Sequence, residues 1–486
     1  MTGETKRALV NPQTLKGFQD FLPEAMILRN QVAQRIKSVY ESYGFLPIDT
    51  PILEHLASLI GTGGEETNKE LFRLESPENE AVAMRYDLTV PLARIVAQYR
   101  DTLKLPFRRY HFGPVFRADK PGFGRFRQFT QFDIDVVGTE SVAADAEIIA
   151  AMCEVMRAVG ICSDDEVRDF EIRINNRKLM DALLQGFGLR SMELQKHVLR
   201  VIDKLKKVGL DNVRKELGQG RVDESGDPIK GVGLSPDIIE KVLAFISIRG
   251  SSRHGVLEEV QKHLSDSEAS RTALSEMRTL ADCLDALHVR ESEALFDPSL
   301  ARGLDYYTGP IYEAYLLAAP EFGSVIGGGR YDRLVERFLD VAVPGTGASI
   351  GFDRFVSALE KLGKLPAQAA VTKALLITLG DVQMTDVLGC AKELRNAGIP
   401  TEVYLGEGKA GMKTQLSFAN TRRIPIAVIL GEDEVKAGKV SIKDLQAGFE
   451  QRAEIKDHDA YRKAGKSGQV TVDRSAMVET VKSLLG

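Results

Sequence analysis

The sequence predicts an α+β protein in which an antiparallel-sheet domain carries a helical insertion and is followed by a small α/β domain. Residues 107–138 alternate between polar and apolar side chains like two antiparallel strands around a loop. A later segment is polar, rich in Lys and Glu and helical in pattern, whereas the C-terminal part alternates strands with helices. A chain of 486 residues has room for several domains. The predicted boundaries are 1–177 and 296–365 for the sheet domain, 178–295 for the insertion and 372–486 for the α/β domain.

The composition indicates a soluble globular protein that works in the cytoplasm. Hydrophobic residues make up 43% of the chain and charged residues 27%, and the formal net charge is -5, which neither supports nor excludes a nucleic-acid partner. No segment approaches the ~18 apolar residues of a membrane helix, and the N-terminus lacks the apolar core of a signal peptide, so no membrane partner is expected. Widely spaced cysteines predict free thiols in a reducing compartment, with neither a zinc site nor disulfides: Cys153, Cys162, Cys283 and Cys390.

The N-terminal part predicts one long helix and one edge strand. Residues 23–44 begin with a proline, repeat apolar residues three and four apart and end in a glycine, which is typical of an amphipathic helix. The next stretch, "FLPIDTPILE", contains Pro47 and Pro51, which exclude a helix and favour an edge or interface strand.

A basic and aromatic stretch between residues 104 and 135 is the first candidate site. Seven basic residues lie between positions 104 and 127, against the single acid Asp119. Arginine forks suit phosphate oxygens and phenylalanine faces suit a purine, although a charged strand face over buried phenylalanines is the simpler explanation of this stretch alone. Gln131, Asp133 and Asp135 share one face of a strand, beside several arginines. This arrangement favours a pocket for a zwitterion plus an anion.

Three further stretches give weaker signals. "MRYDLTVPLAR" places Asp87 and Thr89 two residues apart, hence on one side of an extended chain. "GGGRYDRL" puts three glycines before Arg330 and Tyr331, which allows the backbone to approach a ligand closely. "GASIGFDRF" places Arg354 at a strand-to-helix transition, where a helix start favours polyphosphate. Taken singly, these side chains could equally be structural or solvent-facing.

The decapeptide "ARGLDYYTGP", residues 301–310, combines one cation with two phenols ahead of a turn. By itself it is most simply a strand with a polar edge. On such a strand Tyr306 and Tyr307 would point to opposite sides.

Taken together and in this order, the stretches resemble the class II aminoacyl-tRNA synthetases and, within that class, the histidyl-tRNA synthetase family. The first helix with "FLPIDTPILE", the segment "FRADKPGFGRFRQF" and "GASIGFDRF" are similar to motifs 1, 2 and 3 of the class. "ARGLDYYTG" and "GGGRYD" are similar to the two histidine signatures of the family. The resemblance covers most of the chain. It implies a class II antiparallel-sheet catalytic domain, a helical insertion, a C-terminal anticodon-binding domain and a homodimer built through motif 1.

The resemblance also implies an activity and a set of ligands. The activity would be ATP-dependent ligation of L-histidine to tRNA(His) through a histidyl-adenylate, releasing AMP and pyrophosphate, with Mg²⁺ on the β- and γ-phosphates. By position, the catalytic residues would be Arg302 and Arg117. The ATP-binding residues would be Arg117, Arg125, Phe129, Arg302 and Arg354. The histidine-binding residues would be Asp87, Thr89 and Gln131 at the α-amino group and Asp135, Tyr307 and Tyr331 around the imidazole, with Tyr306 left to packing.

Two carboxylates depart from the pattern that the resemblance leads us to expect. Asp87 and Asp135 stand where many bacterial members of the family carry glutamate, so the motif 2 region is closer to the eukaryote-like branch. Because each side chain is one methylene shorter, we expect the hydrogen bonds of the pocket to be rearranged.

An alternative function on the same fold stays open at this point. A non-catalytic, histidine-binding regulatory paralogue would share the architecture, and fold alone does not separate the two. Such a paralogue is expected to lose the phosphate-binding arginines and the C-terminal domain. This chain retains both, in Arg117, Arg302 and Arg354 and in residues 372–486.

Overall fold

The chain folds into two compact units, residues 1–366 and residues 367–486. Within them, the computed structural model describes residues 10–61, 68–122, 124–163, 167–223, 226–301, 306–366, 370–406, 410–445 and 468–486. No helix among these residues has the length and apolar character that spanning a membrane demands.

The first unit is built around an eight-stranded sheet. In chain order the strands of the unit are β1 (Leu46–Pro47), β2 (Leu53–His55), β3 (Arg73–Glu75), β4 (Ala81–Met84), β5 (Phe107–Phe116), β6 (Gln128–Val137), β7 (Phe170–Asn176), β8 (Gly220–Val222), β9 (Pro228–Lys230), β10 (Ala294–Phe296), β11 (Pro310–Leu316), β12 (Ser324–Tyr331) and β13 (Gly345–Gly351). The large sheet has the order β1-β5-β6-β13-β12-β11-β7-β10. Its two outermost pairs are parallel and the pairs between them are antiparallel. The predicted edge strand is confirmed as β1.

Helices pack around this sheet and supply the rest of its core. The helices of the first unit are α1 (Pro23–Ser42), α2 (Leu56–Leu59), α3 (Thr89–Gln98), α4 (Ala143–Ala158), α5 (Arg177–Gly186), α6 (Met192–Asp203), α7 (Leu205–Val208), α8 (Leu210–Leu217), α9 (Pro236–Ile246), α10 (Arg253–His263), α11 (Glu268–Ala286) and α12 (Phe352–Lys361), with short 3₁₀ turns at Pro320–Phe322 and Val335–Arg337. The apolar stripe of α1 buries Ile36 and Tyr40, and the Tyr40 ring lies edge-on to Phe132 with 5.1 Å between centroids. The predicted first helix is therefore confirmed.

The strand pair β5–β6 carries predicted site residues on one face of the large sheet, the working face. Cα partners across the pair include Gly113 with Gln131, His111 with Asp133, and Arg109 with Asp135. Because side chains alternate along a strand, the polar residues of β6 point to one face while Phe132, Ile134 and Val136 enter the core. The antiparallel pair predicted for residues 107–138 is confirmed.

The helical segment between β7 and β10 belongs to the first compact unit. Buried residues of α5, α6 and α8 to α11 join the same apolar cluster as those of the sheet. A cation–π contact joins this segment to the sheet: Lys206 Nζ of α7 lies 3.4 Å from the centroid of the Tyr315 ring on β11. The division at 178 and 295 stays a prediction.

The second unit is a smaller sheet with helices on both faces. Its strands are β14 (Ala374–Leu379), β15 (Thr401–Val403), β16 (Ile426–Gly431), β17 (Lys439–Asp444) and β18 (Gln469–Asp473), in the order β15-β14-β16-β17-β18. The first three are parallel and the last two antiparallel. Its helices are α13 (Met384–Asn396), α14 (Met412–Thr421), α15 (Glu432–Lys436) and α16 (Met477–Leu485), with a 3₁₀ turn at Arg474–Ala476. The α13 and α16 side chains pack on one face and those of α14 on the other, as predicted for a partly parallel α/β domain.

A buried ion pair ties three elements of the first unit together. Arg330 on β12 donates from Nε to Asp145 Oδ2 of α4 at 3.1 Å and from Nη1 to the Thr139 carbonyl at 3.0 Å. Thr346 on β13 donates to the other Asp145 oxygen at 2.7 Å. Burial raises the pKa of Asp145, and Arg330 opposes that shift. Arg330 of the glycine-rich segment is thus part of the framework beneath the sheet.

Breaking this pair should destabilise the first unit strongly. Arg330→Met leaves Asp145 buried without its cation, and removing one partner of a buried pair costs about 3–5 kcal/mol. The free energy of unfolding is measured by urea denaturation followed by circular dichroism, since the chain has no tryptophan. The control is Lys241→Gln, which removes an exposed partner of Asp237 and should cost less than about 1 kcal/mol. Equal effects of the two substitutions would contradict this assignment.

Candidate active site

A polar cavity of about 370 Å³ lies on the working face of the large sheet. It is enclosed by β6, β11, β12 and β13, by the start of α12 and by the segment after β5. The sequence-predicted residues that line it are Asp87, Thr89, Arg117, Arg125, Phe129, Gln131, Asp135, Tyr307, Tyr331 and Arg354. Arg302, the remaining predicted site residue, lies outside the described residues.

One end of the cavity is rich in arginine. Burial lowers the pKa of Arg354, and the nearby cations Arg125 and Arg117 lower it further. Arg354 donates to the Ser324 carbonyl at 3.1 Å, which fixes its direction. The Arg117 guanidinium carbon lies 5.0 Å from the centroid of the Phe129 ring. Three crowded cations beside an aromatic face suit a polyanion with an attached ring system.

The end of the cavity formed around Arg109 carries carboxylates, of which Asp135 is held by both an ion pair and a tyrosine hydroxyl. The Tyr331 hydroxyl donates to Asp135 Oδ1 at 2.5 Å, and Arg109 Nη2 lies 2.6 Å from Oδ2. Burial raises the pKa of Asp135 to about 6, while Arg109 and Tyr331 act in the opposite direction. Asp135 can therefore accept a hydrogen bond from a ligand without being displaced from its place.

Asp133 lines the cavity between Gln131 and Asp135, although it was not among the predicted ligand contacts. Its side chain is buried, and burial raises its pKa to about 7, with Arg109 lowering it and Asp135 raising it. The Asp133 carboxylate accepts from Gln131 Nε2 at 3.5 Å through Oδ1. Its shared strand face with the two neighbours is the signal that could have identified it.

Arg109 was also missed as part of the site. It is fully buried behind the cavity, opposite Asp135 on the neighbouring strand. Besides Asp135, it donates to the Leu88 carbonyl at 3.2 Å, just ahead of α3. In the sequence Arg109 is one of seven basic residues of a stretch, and nothing there indicates that it faces inward.

Asp87 and Thr89 reach the cavity by a geometry that differs from the expected one. They do not lie on an extended segment, because Thr89 is the first residue of α3. Asp87 Oδ1 accepts from the Thr89 and Val90 backbone amides at 3.1 and 3.0 Å. The carboxylate thus occupies the free amides of a helix start, which explains why it holds one orientation.

Both tyrosines of the decapeptide line the cavity, and Tyr306 also packs against two apolar clusters, as expected. Tyr306 and Tyr307 lie in a turn ahead of β11 and do not alternate on a strand. Their ring centroids are 4.7 Å apart, and the Tyr306 ring stands edge-on to Tyr331 at 6.3 Å. The three phenols form one aromatic wall beside the carboxylates.

Two glycines are required by close approach to this wall and to Asp135. A Cβ on Gly347 would lie 2.0 Å from Asp135 Oδ1, and one on Gly329 would lie 2.8 Å from the Tyr307 ring. Any larger residue would therefore push a ligand-facing side chain aside. The glycines of this segment therefore leave room for the side chains that line the pocket.

Comparison with known proteins gives a consistent result over both units. A family model described as histidyl-tRNA synthetase matches residues 17–355, and one described as anticodon binding domain matches residues 373–484. Histidine–tRNA ligases of Caulobacter vibrioides and Paracoccus denitrificans are each 40% identical, over 97% and 99% of this chain and 96% and 99% of their own lengths.

Solved structures agree with these sequence matches. A histidyl-tRNA synthetase from Nostoc sp. PCC 7120 is 34% identical, covers 98% of this chain and 100% of its own, and has a TM-score of 0.78. A protein from Bacillus halodurans C described as an ATP phosphoribosyltransferase regulatory subunit/histidyl-tRNA synthetase shares the fold at 20% identity, with a TM-score of 0.69 over 87% of this chain and 99% of its own.

Asp133→Asn should stabilise the ligand-free protein at pH 8 and change it little near pH 4. The pKa of Asp133 is about 7 in the folded protein against 3.8 in an unfolded chain. Between these values the folded state retains a proton that the unfolded state has released, so this carboxylate lowers stability as pH rises through that window. Asparagine has no proton to lose.

Melting temperatures of wild type and variant between pH 4 and pH 8.5 measure this effect, and their difference should grow towards pH 8. Phe129→Leu is the control, since it changes the cavity wall without changing a titrating group. A difference between Asp133→Asn and wild type that stays constant with pH would refute the assignment.

Proposed function

Because the chain belongs to the histidyl-tRNA synthetase family, we propose that it ligates L-histidine to tRNA(His) at the expense of ATP, through a histidyl-adenylate. The observation that carries this proposal is the lining of the cavity, which combines a cluster of arginines with a cluster of carboxylates and phenols. ATP and histidine are the two substrates that match these ends. The products of the two steps are pyrophosphate, AMP and the aminoacylated tRNA.

The histidine end supports discrimination by hydrogen bonding. Tyr331 donates its hydroxyl proton to Asp135, so the two side chains form a fixed pair whose oxygens can accept from an imidazole N–H, and Tyr307 lines the cavity as well. Asp87, Thr89 and Gln131 are assigned to the α-amino group. A site whose buried polar groups go unpaired with the wrong amino acid rejects it by ~10⁴ to 10⁵ without editing.

The arginine end supports activation of the carboxylate. In that step a histidine carboxylate oxygen bonds to the α-phosphorus, and the bond from the α-phosphorus to the bridging oxygen breaks as pyrophosphate leaves. Negative charge accumulates on the phosphate oxygens, and fixed guanidinium groups stabilise it without proton transfer. Arg117 is assigned to the α-phosphate, Arg354 and Arg125 to the terminal phosphates and Phe129 to the adenine.

A magnesium ion held on the β- and γ-phosphates fits this end of the cavity. Mg²⁺ keeps several waters and is usually held by one or two carboxylates plus the substrate phosphates. Glu313 is one of the carboxylates that line this end, together with Asp119 and Asp353. Among the described residues no group of three or more His, Cys, Asp or Glu side chains could hold a metal ion. The ion would neutralise phosphate charge there.

The remaining proposals concern the tRNA-binding unit, the cellular compartment and the homodimer. The second unit is assigned to the anticodon of tRNA(His), in line with its family match. A cytoplasmic enzyme is proposed, and the four free cysteines support a reducing compartment. A homodimer is proposed through β1, an edge strand next to exposed apolar side chains that include Leu46, Leu53 and Phe112.

The regulatory alternative has weaker support. The Bacillus halodurans neighbour shows that this fold occurs under a description that includes a regulatory subunit, but it shares only 20% identity. This chain keeps Arg117 and Arg354 in the cavity and keeps the unit that matches the anticodon-binding family.

Histidine-dependent exchange of pyrophosphate into ATP, run in parallel with the other amino acids, tests the proposal. Exchange with histidine alone is expected. No exchange with any amino acid would move the assignment to the regulatory alternative, and exchange with a different amino acid would identify another class II specificity.

Arg302→Ala should slow this exchange by about two orders of magnitude, equivalent to about 3 kcal/mol, as for the loss of one preorganised donor to a developing charge. Melting temperature and dimer content should stay unchanged. The matched control is Arg249→Ala, outside the cavity lining. Near-normal exchange by Arg302→Ala would refute its catalytic role.

Leu46→Glu combined with Leu53→Glu should convert the dimer to monomer. These side chains are 59% and 49% exposed in the single chain, and two new charges would be buried in the proposed interface. Sedimentation equilibrium measures the association. Val222→Glu, at a residue 64% exposed on the β8–β9 hairpin, is the control and should leave association unchanged. A double variant that stays dimeric would place the interface elsewhere.

A further inference from the structure

Three buried acceptor oxygens of residues that line the amino-acid end of the cavity have no hydrogen-bond donor among the described residues: Gln131 Oε1, Asp133 Oδ2 and Asp135 Oδ2. Asp135 Oδ2 lies 2.6 Å from Arg109 Nη2 in an ion pair, which leaves Gln131 Oε1 and Asp133 Oδ2, on side chains that are 6% and 1% exposed. A buried acceptor without a donor costs free energy, and most such groups in native proteins find a partner. Their position on the cavity wall indicates that the partner is a ligand.

The sheet holds both side chains in the orientation that leaves these oxygens available. Ser349 on β13 is the Cα partner of Asp133, and its hydroxyl accepts from Gln131 Nε2 and also interacts with the Asp133 carboxylate. The same amide nitrogen also approaches Asp133 Oδ1 at 3.5 Å. The amide nitrogen of Gln131 is therefore engaged within the protein, and its carbonyl oxygen is left beside the free carboxylate oxygen.

The charges around this pair favour a cation. Asp87, Asp133 and Asp135 bring three carboxylates to this end, where the guanidinium groups of Arg85, Arg109 and Arg117 interact with them. Burial and the neighbouring Asp135 raise the pKa of Asp133. A positively charged ligand group in contact with Asp133 would offset this effect and stabilise the carboxylate.

We infer that Asp133, together with Gln131, receives the α-ammonium group of the amino-acid substrate, so that Asp133 is a further binding and specificity-determining residue of this enzyme. The inference rests on the proposed function and adds a residue that it does not use. An ammonium group offers three N–H donors and can satisfy both oxygens at once, whereas a neutral imidazole offers one. Asp135, already paired with Tyr331 and Arg109, is left for the ring.

Two substrate analogues separate this role from a structural one. Histidinol carries the ammonium and the imidazole, whereas 3-(imidazol-4-yl)propan-1-ol lacks only the ammonium. Their dissociation constants are measured by calorimetry on the full-length wild type, on Asp133→Asn and on the matched variant Asp135→Asn. Asp133→Asn should raise the dissociation constant of histidinol by on the order of 10- to 100-fold, the range of one hydrogen bond to a charged group. The same substitution should change the dissociation constant of the deamino analogue by less than about twofold.

Asp135→Asn should instead weaken both analogues, since both contain the imidazole. Equal losses of the two analogues in Asp133→Asn, or no loss of either, would overturn the inference. If the Asn variant fails to fold or to bind ATP, Asp133→Ala gives the same comparison, because it removes the charge without adding a donor. Failure of the proposed function would look different: wild type itself would show no histidine-dependent exchange and would bind neither analogue.

Discussion

One buried arginine that is not part of the cavity lining supports the amino-acid end of the cavity. Arg109 is fully buried, lies 2.6 Å from Asp135 and donates to the Leu88 carbonyl ahead of α3. An isolated buried charge is very costly, so this guanidinium and the carboxylates around it stabilise one another. Burial raises the pKa of Asp87, Asp133 and Asp135, and Arg109 lowers the pKa of all three. Without it, acids this close together in a dry site would be protonated or pushed apart.

The two ends of the cavity are incomplete in opposite senses. At one end Arg117, Arg125 and Arg354 crowd together, and burial and mutual repulsion lower the pKa of Arg354. At the other end carboxylate oxygens and an amide oxygen lack donors. Under the proposed function, a polyphosphate would complete the first end and an ammonium with an imidazole the second. The α-phosphorus and the histidine carboxylate would then meet between the two ends.

Much of this arrangement follows from the sequence by simple rules. The two-residue period of β6 placed Gln131 and Asp135 together, and the proline positions located the edge strand β1. The expectations of extended-strand geometry that failed have a common physical origin. Asp87 and Thr89 are joined by backbone amides at a helix start, and the two tyrosines 306 and 307 share a turn, so strand alternation does not apply to either pair.

Arg109 and Asp133 were missed for a different reason. Their roles depend on strand pairing. Arg109, for example, contacts Asp135 because the two residues are opposite each other on the paired strands β5 and β6. A single sequence shows which residues share a face, but a pairing across strands arises only when the sheet register is set. Asp133 was placed on the correct face, yet only the lack of a donor at its second oxygen indicates a ligand contact.

The most direct test of this account is a crystal structure of the enzyme with histidine and a non-hydrolysable ATP analogue. The histidine nitrogen should lie within about 3 Å of Gln131 Oε1 and Asp133 Oδ2, the ordinary length of such hydrogen bonds. The imidazole should lie beside Asp135, and the phosphates among the arginines of the other end. A histidine bound in the reverse orientation, or an ammonium group held away from β6, would contradict the account.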